Sequence, residues 1–159
     1  MAKLYLVCGL SGSGKTKFSI ELAKELNILR VCPDEIYAIF NGTDLDRSNT
    51  FEVWQTLFLI VHTAERNNRD VIIDSDALTV QQRTQFCEWF PSFDRHMIVV
   101  ETDRETRREN NRKRTRVIPE GIMDEKEKKY ERPTMCEVGW KSIEFVWNER
   151  NERFVRVEG

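Results

Sequence analysis

Apolar and polar residues change rhythm along this chain. Leu4 to Cys8 is a short apolar run closed by Gly9, the pattern of a strand buried on both faces. Behind it, in TKFSIELAKELN, Phe18, Leu22 and Leu26 recur every four residues and predict an amphipathic helix. Leu29 to Cys32 reads as a second short strand stopped by Pro33, and the polar stretch holding Asn41-Gly42 reads as a loop. A long helix is predicted from a capping box at Asn49 and Glu52 to about Asn67. Its buried stripe is Phe51, Trp54, Phe58, Val61 and Ala64. RDVIIDS carries three β-branched residues ending on an acid and predicts a central strand, Asp70 to Ser75. A helix from Thr79 to Phe90, a strand from His96 to Glu101 and a very charged helix from Arg104 to about Thr115 follow. Pro119 opens one more helix, which ends before Pro133. SIEFVW and ERFVRVEG alternate on either side of a four-residue polar loop, giving a last core strand and an antiparallel edge strand.

Strands alternating with helices imply an α/β fold. The expected architecture is a parallel sheet of about four or five strands with helices on both faces, a helical lid near residues 104–131 and an antiparallel C-terminal edge strand. The 159 residues are read as a single domain. An apolar share of 40% beside a charged share of 33% describes a globular chain and excludes a disordered one. The net charge of −2 supplies no global attraction to nucleic acid, so a polyanion site has to come from local clustering. Cysteines 8, 32, 87 and 136 lack zinc-like spacing and read as free thiols of a cytoplasmic protein. The N-terminal apolar run is too short to span a bilayer, and no membrane partner is expected.

The chemistry concentrates in Gly9-Leu10-Ser11-Gly12-Ser13-Gly14-Lys15-Thr16, which fits G-x-x-x-x-G-K-[ST] with a strand before it and a helix after. Glycines there let backbone amides turn inward on phosphates, because side chains would block the approach. The helix N-terminus adds partial positive charge. Residues Gly9 and Ser11 to Thr16 are the expected nucleotide cradle; Lys15 reaches the β- and γ-phosphates of ATP, and Thr16 offers a hydroxyl to Mg²⁺. Asp74, at the end of VIID, is the second candidate for the metal, directly or through a water. Asp34 follows the strand LRVC and should overhang the crevice beyond the carboxyl ends of the strands. It is the candidate base for an acceptor hydroxyl, with its neighbour Glu35 still open. The run DRETRRENNRKRTRV holds Arg104, Arg107, Arg108, Arg112, Lys113, Arg114 and Arg116. At helical spacing at least half of these face solvent, while one or two over the glycine loop would clamp a transferring phosphoryl group or grip an acceptor's phosphates.

Over nearly its whole length the chain resembles the polynucleotide-kinase and zeta-toxin branch of small P-loop kinases. GLSGSGKT with Asp34 is similar to that family's P-loop and catalytic aspartate, and TFEVWQTLFLIVHTAERNNRDVIID to its long helix and second acidic strand. ENNRKR resembles the lid motif, which sets Arg114 on the catalytic lid arginine. YERPTMCEVGW resembles the segment after the lid, through Glu131, Pro133, Glu137, Gly139 and Trp140. The resemblance implies transfer of the γ-phosphate of ATP to a hydroxyl, often the 5′-OH of a nucleic acid, with Asp34 as general base and Arg114 as transition-state clamp. Two positions depart from the pattern. Asp74-Ser75-Asp76-Ala77 stands where the family carries D-x-T-N, and Glu35-Ile36-Tyr37-Ala38 lacks the arginine that holds an acceptor phosphate. If Asp76 lines the acceptor pocket, it repels such a phosphate.

The expected activity is therefore an ATP- and Mg-dependent kinase with Lys15, Asp34 and Arg114 as catalytic residues and a polynucleotide or oligonucleotide 5′-OH as acceptor. A kinase of a small molecule (nucleoside, sugar nucleotide or antibiotic) is the alternative, and a regulatory nucleotide hydrolase a more distant one. His62 and His96 lack partners at catalytic spacing and read as structural. The four tryptophans read as packing residues, and Asp44 and Asp46 resemble a calcium loop only superficially.

Overall fold

A computed structural model describes residues 1–149 and 153–158. In chain order the elements are β1 (Lys3–Cys8), α1 (Lys15–Leu26), β2 (Leu29–Val31), α2 (Pro33–Asn41), α3 (Thr50–Arg66), β3 (Val71–Asp74), α4 (Val80–Trp89), β4 (Asp94–Glu101), α5 (Arg104–Lys113), α6 (Glu120–Lys129), β5 (Ser142–Glu149) and β6 (Arg153–Val157). The strands form one six-stranded sheet in the order β2-β3-β1-β4-β5-β6. Pairing is parallel from β2 through β5, and β6 closes the edge antiparallel to β5. Of the predicted polar loop before β6, Asn148 and Glu149 extend β5, and residues 150–151 lie outside the described residues.

The strands alternate sides residue by residue, so each feeds two cores. Leu4, Leu6 and Cys8 join Val71, Ile73, Met97, Val99 and Phe145 on the face covered by α2, α3 and α4. Val7, Ile72, Ile98, Val100 and Val146 face the other way, against Phe18, Leu22 and Ala23 of α1. Burial on both faces explains why these strands read as continuous apolar runs.

Three local expectations need correction. Residues 33–41 form α2 rather than passing into a loop: Pro33 sits at N1, where its missing N–H costs nothing, and Gly42 terminates the helix in a left-handed turn at φ 78°. Asn49 precedes α3 but does not build the capping box. It has φ 60°, and its side chain donates to Asn41 Oδ1 at 2.6 Å instead of accepting from the first turn. The fully buried stripe of α3 is Val53, Leu57, Val61 and Ala64. Trp54 and Phe58 sit at its margin, and Phe51 is exposed.

Candidate active site

The glycine loop joins β1 to α1, and Gly14 caps that helix at φ 95°. Its glycines meet a packing demand. A Cβ on Gly12 would lie 2.3 Å from the carbonyl oxygen of Arg107, and one on Gly14 would lie 2.5 Å from Asn148 Nδ2. The loop is thus pressed between α5 and β5. Amides hold it from both sides: Asn110 Nδ2 donates to the Gly12 carbonyl at 2.8 Å, and Asn148 Nδ2 to that of Ser13 at 3.0 Å. A groove of about 540 Å³ opens beside it, lined by Gly12, Gly14, Lys15, Thr16, Asn110 and Arg114 among others.

Asp74 ends β3 and is fully buried. Its Oδ2 accepts from Ser19 Oγ at 2.8 Å and Arg30 Nη2 at 2.7 Å. Its Oδ1 has no hydrogen-bond partner and lies 3.7 Å from Lys15 Nζ. Arg30 also takes Glu35, at 2.8 Å. Successive helical positions point about 100° apart. Glu35 is turned to Arg30, while Asp34 lines a separate cavity of about 540 Å³.

That cavity lies between the strand ends and α2, α3 and α4. Asp34, Arg47 and Asp76 line it together with Trp54, Phe58 and Trp89. Arg47 Nη2 donates to Asp34 Oδ1 at 2.9 Å, and its guanidinium stacks 4.4 Å from the centre of the Tyr37 ring. Asp76 does face the cavity, but it is not a free negative charge. Its Oδ1 lies 2.9 Å from Lys15 Nζ and its Oδ2 2.6 Å from Lys126 Nζ. Burial opposes ionisation of Asp76, yet the two ammonium groups outweigh it and hold the carboxyl well below the usual range. Burial likewise works against charged Lys15, but Asp76 and then Asp74 prevail and its pKa rises. Asp34, Asp76, Lys15, Lys126 and Arg47 together carry three positive and two negative charges.

Much of the basic helix is spent on contacts with α6. Arg107 Nη2 pairs with Glu127 at 3.2 Å, Arg108 Nη2 with Asp124 at 2.7 Å, and Arg108 Nη1 also holds Glu120. Arg104 adds a bond to Glu127 at 3.1 Å. These pairs clasp α5 to α6. Arg116 reaches Asp44, and Arg112 is exposed. Arg114, just past α5 and half-buried, turns into the groove beside Gly12, Lys15 and Thr16.

The segment after α6 is a brace. Buried Arg83 pairs with Glu137 at 2.7 Å and donates to the carbonyls of Ala77 at 2.7 Å and Glu131 at 2.8 Å. Ala77 is held at φ 44°, a left-handed conformation that costs energy for a residue with a Cβ. The brace fixes the backbone directly after Asp76. Trp140 packs on the core, and Trp54 and Trp89 do so while also walling the cavity.

Sequence reasoning misses Arg47 and Lys126. Both lie in charged or polar stretches with no local pattern, and only the tertiary fold brings them to the loop and the cavity. Among the described residues no cluster of three or more His, Cys, Asp or Glu forms a ready-made metal cage. A hydroxyl on the first turn of α1 and a partnerless buried oxygen on Asp74 suit Mg²⁺, which binds through few protein oxygens and completes its shell with phosphates and water. No helix among the described residues is long and apolar enough to cross a membrane.

Comparison with known proteins bears on the fold. No curated protein matches the sequence. Solved structures of similar fold include a gluconokinase from Sinorhizobium meliloti 1021, at 17% identity and TM-score 0.65, covering 91% of this chain and 82% of that one. The Pnkp1/Rnl/Hen1 RNA repair complex aligns at 21% identity and TM-score 0.70, covering 80% of this chain and 43% of that one. Kti12 of Chaetomium thermophilum, in complex with ADP-AlF3, aligns at 16% identity and TM-score 0.70, covering 94% and 92%. At such identities the likeness establishes the fold. The family model described as an AAA domain matches residues 4–133, and the chain belongs to that family, AAA_33, with the fold of the small P-loop kinases.

Proposed function

We propose that the protein transfers the γ-phosphate of ATP to the 5′-OH of a polynucleotide or oligonucleotide. One observation carries this reading: Asp34 and Arg47 stand side by side in a cavity with aromatic walls next to the glycine loop. The acid can orient a hydroxyl and accept its proton, the task phosphoryl transfer asks of the protein. The guanidinium, freed from Asp34 on one edge, can hold a phosphate adjacent to that hydroxyl. Trp54, Phe58 and Trp89 offer flat apolar surfaces to a nucleobase.

In this reading each residue of the loop and cavity has a role. Residues Gly9 and Ser11 to Thr16 cradle the triphosphate, and Lys15 contacts its outer phosphates. Arg114 reaches over the groove to the transferring group. Thr16 and Asp74 would hold Mg²⁺, which when bound neutralises charge developing on the phosphate oxygens. The missing arginine after Asp34 is supplied from position 47. The repulsion expected of Asp76 is cancelled by its two lysines.

A labelling experiment tests the assignment. Protein, Mg²⁺ and γ-labelled ATP are incubated with a 5′-OH oligonucleotide, a nucleoside mixture, gluconate or water. Label on the oligonucleotide is expected. Label confined to nucleosides or gluconate would favour the small-molecule reading. Free phosphate alone would mark a nucleotide hydrolase.

A further inference from the structure

The Asp76 carboxylate occupies an unusual place. Each of its oxygens meets a different ammonium, Lys15 at 2.9 Å and Lys126 at 2.6 Å. Lys126 also donates to Ser11 Oγ at 2.9 Å, so its charge ends on the glycine loop itself. Both partners are largely withdrawn from water, with side chains 18% and 19% exposed. Desolvating an ammonium is expensive unless an anion compensates it. In this structure the anion is Asp76. A pair of anionic oxygens between two cations at a glycine loop is also the charge arrangement that a bound phosphate presents.

Lys126 arrives there on a firm support. It lies in α6 beside Glu127, and Glu127 belongs to the ion-pair clasp that binds α6 to α5. The lid therefore hydrogen-bonds to the loop through two side chains, Asn110 at the Gly12 carbonyl and Lys126 at Ser11. Nothing in the local sequence marks Lys126, one of three lysines in the last turn of α6.

We infer that Lys126 is a phosphate-binding residue carried by the lid, and that Asp76 is its resting counter-ion. Without nucleotide, Asp76 holds Lys126 and Lys15 together. A triphosphate tail competes for both ammonium groups and draws Lys126 from Asp76 onto a phosphate oxygen. Asp76 thus opposes nucleotide binding, and Lys126 favours it. The inference rests on the reading of the loop as a triphosphate site.

Titration calorimetry with ATP and Mg²⁺ tests it without any acceptor. Lys126→Met should weaken ATP binding about tenfold, while Lys126→Arg retains most of the affinity. Asp76→Asn should do the opposite and tighten ATP binding several-fold, because Lys126 loses its partner anion and Lys15 keeps only the more distant Asp74. A misfolded variant cannot produce such a gain. ATP affinity in Lys126→Met within twofold of the parent overturns the phosphate-binding role. Weakened binding in Asp76→Asn overturns the counter-ion role. Failure of the unsubstituted protein to bind ATP would instead remove the triphosphate site, and this inference with it.

Discussion

Arg47 Nη2 lies 2.9 Å from Asp34 Oδ1, although 13 positions separate the two residues. The bond crosses from the loop before α3 to the first turn of α2, and Tyr37 supports the guanidinium from below. It joins the base candidate and a guanidinium into one unit.

If Asp34 takes the acceptor's proton, Asp34→Asn should lower transfer by about 10²- to 10⁴-fold, with ATP affinity retained. Glu35→Gln should leave the rate within about threefold, since Glu35 pairs with Arg30 and does not line the cavity. Single-turnover transfer and calorimetric ATP binding check both. Comparable rate losses in the two variants would sink the assignment.

Arg47→Met should raise KM roughly tenfold for an oligonucleotide acceptor, the size of one charge-assisted hydrogen bond. KM for ATP should not move. An unbranched nucleoside without phosphate should lose much less. Equal losses for both acceptors would show that Arg47 only positions Asp34.

Arg114→Ala should slow turnover by about 10³-fold, the usual scale for an arginine acting on the transferring phosphoryl group. Arg112→Ala, which alters an exposed side chain, should stay close to the parent enzyme. Rapid-quench measurement of the chemical step separates this effect from product release.

Arg83→Met leaves Glu137 buried without its partner and frees the Ala77 and Glu131 carbonyls. Breaking such a pair costs about 3–5 kcal/mol, so denaturant midpoints should fall sharply. Arg83→Met with Glu137→Met should recover a large part of that loss. Stability of the double variant no better than that of the single one would contradict the pairing argument.

How much of this can be read from the sequence depends on the range of the interaction. The glycine loop, β1, β3 and β4 are legible because their signals are local: apolar runs bounded by glycine or an acid. Asp34 is legible as an acid after a strand. Pro33 misleads, because a proline that ends a strand is equally suited to begin a helix, and only the left-handed turn at Gly42 closes α2. Asn49 carries the composition of a cap but not the backbone, since its φ of 60° turns the side chain toward Asn41. The arginines of α5 look solvated because their partners Glu120, Asp124 and Glu127 sit on another helix. Arg47 and Lys126 depend wholly on tertiary approach. Lys126 reaches Ser11 and Asp76 across 115 and 50 positions, and Arg47 reaches Asp34 only because α2 and the loop after it fold back.

The contact between Gly12 and the Arg107 carbonyl sets a tolerance on the whole molecule. One methyl group at position 12 would have to fit where an oxygen already lies 2.3 Å away. Alanine there would lift α5, and α6 would travel with it through the shared ion pairs. Arg114 and Lys126 would then both miss the loop by a similar displacement. The absence of a single carbon acts as the gauge that keeps two distant cations in working range of one another's target.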